Sequence, residues 1–172
     1  MNTIIVDNFF NNFENIKDEF KKIQLFNNEE YNKRFNETET WPGFRSNYLH
    51  KESPFLFNLI IREMFLKFGD NIFYNRKFLM KSHIHLRLEE DDEKDWIHKD
   101  QSFASILIYL SETNLLSGTC LYDENKNTTS TINFVQNRAV IFDSKTYHKS
   151  LNNYGKNLEN GRLTLNCFVW LE

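Results

Sequence analysis

The sequence predicts an α+β fold, helices first and then a mainly antiparallel β-sandwich or barrel. Three observations predict it. Apolar residues recur at helical spacing in the first part of the chain. From about residue 78 the apolar repeat shortens to two. The period-two segments are short and are separated by polar turns, such as residues 91–95 and 123–127.

The elements follow in order. Residues 3–6, Thr-Ile-Ile-Val, read as a short strand. Asp7 or Asn8 can then cap a helix whose Phe9, Phe13, Ile16, Phe20 and Ile23 form one apolar face. Residues 37–47 read as an irregular loop, with Trp41-Pro42-Gly43 as a turn anchored by its tryptophan. A second helix is expected over 54–68, with Leu56, Leu59, Ile60, Met64 and Phe68 on one side. Residues 78–89 then alternate Met80, Ile84, Leu86 and Leu88 against Lys81, His83, His85 and Arg87. Further strands are expected at 102–110, 118–122, 131–135, 138–142 and 162–171. The acidic run 89–95 reads as a solvated hairpin turn.

At 172 residues the chain fits one domain spanning 1–172, with helical support over about 1–77 and a β core over about 78–172. A hydrophobic fraction of 40% and 17 Phe supply a core without disulfide staples. The net charge of −3 gives no basic surface for a nucleic-acid backbone. The opening residues lack a basic region followed by a long apolar stretch, so neither a signal peptide nor a membrane span is expected. Cys120 and Cys167 sit in apolar runs without metal-ligand spacing. They read as reduced core residues of a cytoplasmic protein.

The chemistry starts at Trp96-Ile97-His98-Lys99-Asp100. On an extended segment residues i and i+2 point to the same side, so His98 and Asp100 can offer an imidazole nitrogen and a carboxylate oxygen to one ion. His148 follows the apolar run 138–142. Two histidines and one carboxylate make the facial triad of non-haem Fe(II) oxygenases, which leaves the opposite face of an octahedron open for a bidentate 2-oxo acid and O2. Arg162 opens the last strand, with Thr164 two residues on and facing the same way. A guanidinium there suits a carboxylate held by two parallel hydrogen bonds.

Between about 96 and 170 the chain resembles the prolyl-4-hydroxylase-like branch of the Fe(II)/2-oxoglutarate oxygenases. The resemblance is carried, in order, by Trp96-Ile-His-Lys-Asp100, Ile106-Leu-Ile-Tyr-Leu-Ser111, Gly118-Thr-Cys-Leu121, Asn137-Arg-Ala-Val-Ile-Phe142, His148 and Arg162-Leu-Thr-Leu165. It implies a double-stranded β-helix (jelly-roll) core with N-terminal supporting helices. It implies iron on His98, Asp100 and His148, and oxidative decarboxylation of 2-oxoglutarate coupled to hydroxylation of a prolyl, peptidyl or small-molecule substrate. Tyr109 takes the role of the strand tyrosine that reaches the cosubstrate carboxylate, and Leu121 that of the apolar pocket wall. Arg162 stands where collagen-type members carry Lys, and Thr119 replaces the second of two glycines. The strand before the metal motif carries His83, His85 and Arg87 where tyrosines are frequent.

Other readings stay open beside this one. His83 and His85 form a His-x-His pair that can ligate metal as in a cupin, or else they line the substrate pocket. The chain can also be a metal-binding jelly-roll module without catalysis. Trp96 reads as either a core aromatic or a lid, Asn166 as an inward-facing amide near the substrate, and His50 as an exposed loop residue.

Overall fold

The computed structural model describes residues 1–69, 73 and 76–172. Among the described residues ten strands and four α-helices run in the order β1 (Ile4–Val6), α1 (Phe13–Lys21), β2 (Leu25–Asn27), α2 (Asn28–Phe35), β3 (Phe44–Ser46), α3 (Leu49–Glu52), α4 (Pro54–Phe68), β4 (Phe78–Arg87), β5 (Ala104–Tyr109), β6 (Asn114–Tyr122), β7 (Thr128–Phe134), β8 (Ala139–Asp143), β9 (Tyr147–Leu151) and β10 (Arg162–Leu171). All strand pairs are antiparallel. They form a seven-stranded sheet, β1-β8-β5-β10-β4-β3-β2, and a three-stranded sheet, β7-β6-β9. This is the jelly-roll core that the resemblance implies.

Period two decides which residue goes where, because neighbouring side chains on a strand point to opposite faces. On the large sheet Ile84 and Leu86 of β4, Ile106 and Ile108 of β5, Ile141 of β8 and Leu163, Leu165, Cys167 and Val169 of β10 all pack into one cluster. Phe13 and Phe20 of α1 and Leu56, Ile60, Met64 and Phe68 of α4 complete it. The α4 contribution falls at helical spacing, with Ser53 accepting from the Leu56 N–H at its start and Pro54 at its first position. The opposite face of the large sheet looks toward the small one. There Tyr109, Val140 and Phe142 meet Leu121, Ile132 and Phe134 in a second core. Both faces of β5 and β8 are thereby covered, and on β10 the alternate residues Arg162, Thr164, Asn166 and Phe168 line a cavity.

Several expectations need correction. The first helix begins at Phe13, not at Phe9. Asp7 is taken by Arg138, whose Nε donates to Oδ1 at 2.6 Å, and Asn8 has φ of +53°. The backbone N–H groups of Phe9 and Phe10 donate to the Asn137 carbonyl and side chain, tying this segment to the turn before β8. The loop expected over 37–47 contains β3, which pairs with β4 at Phe44–Leu86 and Arg45–His85. At three residues β2 and β3 carry too little periodicity to stand out, whereas β1, equally short, shows because all three of its residues are β-branched and apolar. The segment around His148 is a strand, β9, paired with β6. The acidic run is not a solvated hairpin turn. It is a 3₁₀ turn, Glu89–Lys94, and β4 pairs with β10 and β3 instead of β5. Asp91 is buried and accepts from the Leu88 N–H at 2.8 Å, and Asp92 accepts from Asn153. Cys120 and Cys167 are free and buried. Among the described residues no helix is long and apolar enough to cross a membrane.

Candidate active site

His98 lies just past the 3₁₀ turn, opposite His148 near the start of β9. The two exchange backbone hydrogen bonds, His98 N–H to the His148 carbonyl at 3.0 Å and the reverse at 2.9 Å. Two residues on, the Asp100 N–H donates to the Ser144 carbonyl at 2.9 Å. The 98–100 segment is therefore held extended, and the i, i+2 relation puts both side chains on one side. The donor atoms of His98, Asp100 and His148 all lie within 4.8 Å of one another, and among the described residues this is the one group of three or more His, Cys, Asp or Glu so placed.

The hydrogen-bond network orients these donors. Each imidazole Nδ1 faces a carbonyl oxygen at 2.9 Å, Trp96 for His98 and Thr146 for His148. A carbonyl only accepts, so Nδ1 carries the proton and Nε2 presents its lone pair. Those Nε2 atoms face Asp100, at 3.9 Å from Oδ1 for His98 and 3.4 Å from Oδ2 for His148. Lone pairs and a carboxylate converge with no donor between them, which is the arrangement that a cation satisfies. Burial and the neighbouring His148 hold the His98 imidazole below its ordinary pKa, which favours the neutral, ligating form. Ser105 Oγ donates to Asp100 Oδ2 at 2.6 Å and is linked to Ser144 Oγ at 2.8 Å. Ser105 was not singled out from sequence, though its signal was there: a hydroxyl on the inward parity of an otherwise apolar β5.

These donors open onto a cavity of about 200 Å³. Arg162 lines it, 4% exposed, with Nη2 donating to the Gly118 carbonyl at 2.9 Å and Nε without a partner. Gly118 is required by the neighbouring strand β7, where a Cβ would lie 2.0 Å from the Ile132 oxygen. Burial lowers the pKa of Arg162 from its high ordinary value, yet a guanidinium keeps its charge. Thr164, Asn166, His85 and Trp96 also line the cavity, as the sequence suggested. Asn166 Oδ1 is buried without a partner. Trp96 is 46% exposed and belongs to the rim, which decides against the core-aromatic reading.

Tyr109 and Leu121 stand behind the lining. The Tyr109 hydroxyl donates to Thr119 Oγ1 at 2.8 Å, and it is Thr119 that reaches the cavity. Leu121 packs in the inter-sheet core. His83 and His85 are not brought together with a third ligand. His85 Nε2 donates to the Pro42 carbonyl at 3.0 Å, and His83 packs against Tyr48 at 4.8 Å. The cupin-type reading has no geometric support. His50 is exposed, within α3.

The sequence also missed the basic wall. Arg45 of β3 and Arg87 of β4 line the cavity with Arg162. Arg87 makes a buried pair with Asp95 at 3.3 Å, and Asp95 in turn accepts from the Ser150 hydroxyl. Arg45 lies 4.1 Å over the Trp41 ring.

No family model and no curated protein matches the sequence. Solved structures do match the fold. A 2OG-Fe(II) oxygenase-family oxidoreductase from Burkholderia pseudomallei superposes with a TM-score of 0.68 at 12% identity, covering 98% of this chain and 84% of that one. A prolyl hydroxylase from Trichoplax adhaerens, solved with a peptide fragment of hypoxia inducible factor, gives 0.66 at 11%, covering 98% and 83%. The viral collagen prolyl hydroxylase of Paramecium Bursaria Chlorella virus-1, solved as a 2OG complex, gives 0.64 at 12%, covering 97% and 94%. At these identities the likeness is one of fold: the chain carries the fold of the 2-oxoglutarate/Fe(II) oxygenases.

Proposed function

We propose that this chain is an Fe(II)- and 2-oxoglutarate-dependent oxygenase that hydroxylates a small-molecule or peptidyl substrate. The observation that carries the reading is the pairing of two sites across one cavity. His98, Asp100 and His148 converge on a cavity that Arg162 also lines, with an unpartnered Nε. His98 Nε2, His148 Nε2 and one Asp100 oxygen would hold the metal. Bound there, Fe(II) supplies the O2 chemistry that converts 2-oxoglutarate to succinate and CO2 and oxidises the substrate.

The protein's own contribution is orientation and exclusion of water. Arg162 offers the fixed cation that a desolvated distal carboxylate needs. Thr164 and Thr119 line the same region and can add neutral hydrogen bonds, Thr119 being held in place by the Tyr109 hydroxyl. Leu107 and Phe168 make part of the wall apolar, which strengthens the charge contact within it. Trp96 at the rim is placed to cover the substrate.

Mixing the protein with Fe(II) and 2-oxoglutarate without O2 tests the cosubstrate step. A weak visible charge-transfer band is expected, and its absence overturns the reading. Admitting O2 then tests catalysis. Succinate formation above a no-protein control is expected, and a band without any succinate would leave only a metal-binding module.

A further inference from the structure

The cavity holds more positive charge than the proposed chemistry uses. Its lining includes Arg45, Arg87, Lys149 and Arg162, against the carboxylates Asp95 and Asp100. Asp95 is consumed by Arg87 and Ser150, and Asp100 belongs to the metal triad. Fe(II) with doubly charged 2-oxoglutarate leaves this surplus unchanged. Arg45 has a carboxylate partner in Glu39, at 3.1 Å, but that side chain is half exposed and outside the lining.

The unpartnered atoms cluster in the same place. Of the ten buried side-chain N and O atoms without a hydrogen bond among the described residues, five belong to residues lining this cavity: Trp41 Nε1, Arg45 Nε, Arg87 Nη1, Arg162 Nε and Asn166 Oδ1. Four of these five are nitrogens that can only donate. Buried donors without acceptors are rare and call for an explanation. Arg87 is 8% exposed at its side chain and Trp41 is 5% exposed, so water is a poor substitute for a partner.

Register separates two groups of donors. Thr164 on β10 pairs with His85 on β4, and His85 pairs with Arg45 on β3. Arg45 therefore stands two strands from the Arg162–Thr164 column, roughly 10 Å away at the usual strand spacing. One carboxylate group cannot span that distance. Arg87 lies between, directly opposite Arg162. Its stem runs beneath the Trp41-Pro42-Gly43 turn, where a Cβ on Gly43 would lie 2.9 Å from Arg87 Cδ.

We infer that the substrate carries an anionic group, a carboxylate or a phosphate, that docks on the Arg45 and Arg87 guanidiniums and the Trp41 indole N–H. This rests on the oxygenase reading and names the substrate class for the same site. The Trp41 ring under Arg45 fixes the guanidinium plane, so the Nε edge is presented without free rotation. The cavity volume of about 200 Å³ lies below the roughly 300–1,000 Å³ of drug-sized sites. That volume also has to hold 2-oxoglutarate, so it takes the anionic group of the substrate and the atoms next to it.

Calorimetry on the protein loaded anaerobically with Fe(II) and saturating 2-oxoglutarate tests this, because the Arg162 site is then filled. The probes are propionate, inorganic phosphate and the neutral propionamide, which has no carboxylate. At least one anion is expected to bind tenfold or more tightly than propionamide, and which one wins separates carboxylate from phosphate recognition. Arg45→Gln is expected to erase that preference, since a hydrogen bond to a charged group contributes about that factor or more. Arg45→Lys is expected to keep part of it. Arg87→Gln strands Asp95 and can unfold the protein, so the decision rests on Arg45. Equal affinity for all three probes, or a preference that survives Arg45→Gln, overturns the proposal. The charge-transfer band is recorded in every sample. A missing band in the parent overturns the oxygenase reading and this one with it; a normal band without anion preference overturns this one alone.

Discussion

His98 and His148 face each other with both Nδ1 atoms tied to carbonyls, while across the cavity Arg45, Arg87 and Arg162 each keep a nitrogen without a partner. The metal end is oriented by its own backbone before any ligand arrives. His98 also remains a third exposed at its side chain. The arginine end is deeply buried, and its charges are balanced only in part, by Asp95 and Glu39. Two kinds of preorganisation follow. A facial triad needs lone pairs aimed at a point, which local hydrogen bonds supply. A cation wall needs charges kept from water, which only a packed sheet supplies.

The largest effect is expected at the metal end. His98→Ala or His148→Ala removes one of three protein ligands, so Fe(II) affinity should fall by more than the roughly 10- to 100-fold that outer-shell changes cost. Anaerobic Fe(II) titration checks it; full-affinity binding in both variants would dissolve the distinction between the two ends. Arg162→Ala comes next. Removing one partner of a buried charge pair costs roughly 3–5 kcal/mol, so 2-oxoglutarate affinity should drop on the order of a hundred- to a thousandfold. Iron titrates as before, and Arg162→Lys recovers part of the loss, because charge returns without the fork. An alanine variant within twofold of the parent for 2-oxoglutarate would take Arg162 out of the site.

The basic wall also sets a pH dependence. Burial, then Arg45, holds His83 well below its ordinary pKa; burial, then Arg87, does the same for His85. In the unfolded chain both protonate near pH 6.5. Below that the unfolded state takes up protons that the folded state refuses, so stability is full above about pH 6.5 and falls as pH drops. The expected loss is about 1.4 kcal/mol per histidine at pH 5.5. Urea unfolding at pH 7.5 and 5.5, repeated on His85→Gln, reads it. A variant with the parent's full pH slope would mean that His85 is not held neutral beside the arginines. The smallest effect sharpens the metal end. Ser105→Ala deletes the hydroxyl at 2.6 Å from Asp100 and should weaken Fe(II) binding by roughly tenfold. No change at all would show that the backbone alone orients that carboxylate.

Much of the cavity's inward face was readable in advance. The alternation of β4 and β10 put Arg162, Thr164, Asn166, His85 and Arg87 on one side, because a strand has only two faces. What escaped was the company each residue keeps. Arg87 passed for one member of an alternating strand until Asp95 folded back against it, and Arg45 sat in a stretch with no visible period. Tyr109 was assigned by resemblance to the cosubstrate carboxylate, yet its hydroxyl is bound to Thr119, a position noted only as a missing glycine.

By itself the sequence determined the class of the fold, the strands of the inter-sheet core and the shared side of His98 and Asp100. Each depends on spacing within a few residues, on i and i+2 along a strand or i and i+4 along a helix. Only the tertiary structure decided that His98 faces His148 across 50 positions, that the acidic run is a 3₁₀ turn with Asp91 buried, and that Arg45 joins Arg87 and Arg162 on one wall. Those pairings are set by sheet register and by the burial of charge between distant strands, and no local period in the chain encodes them.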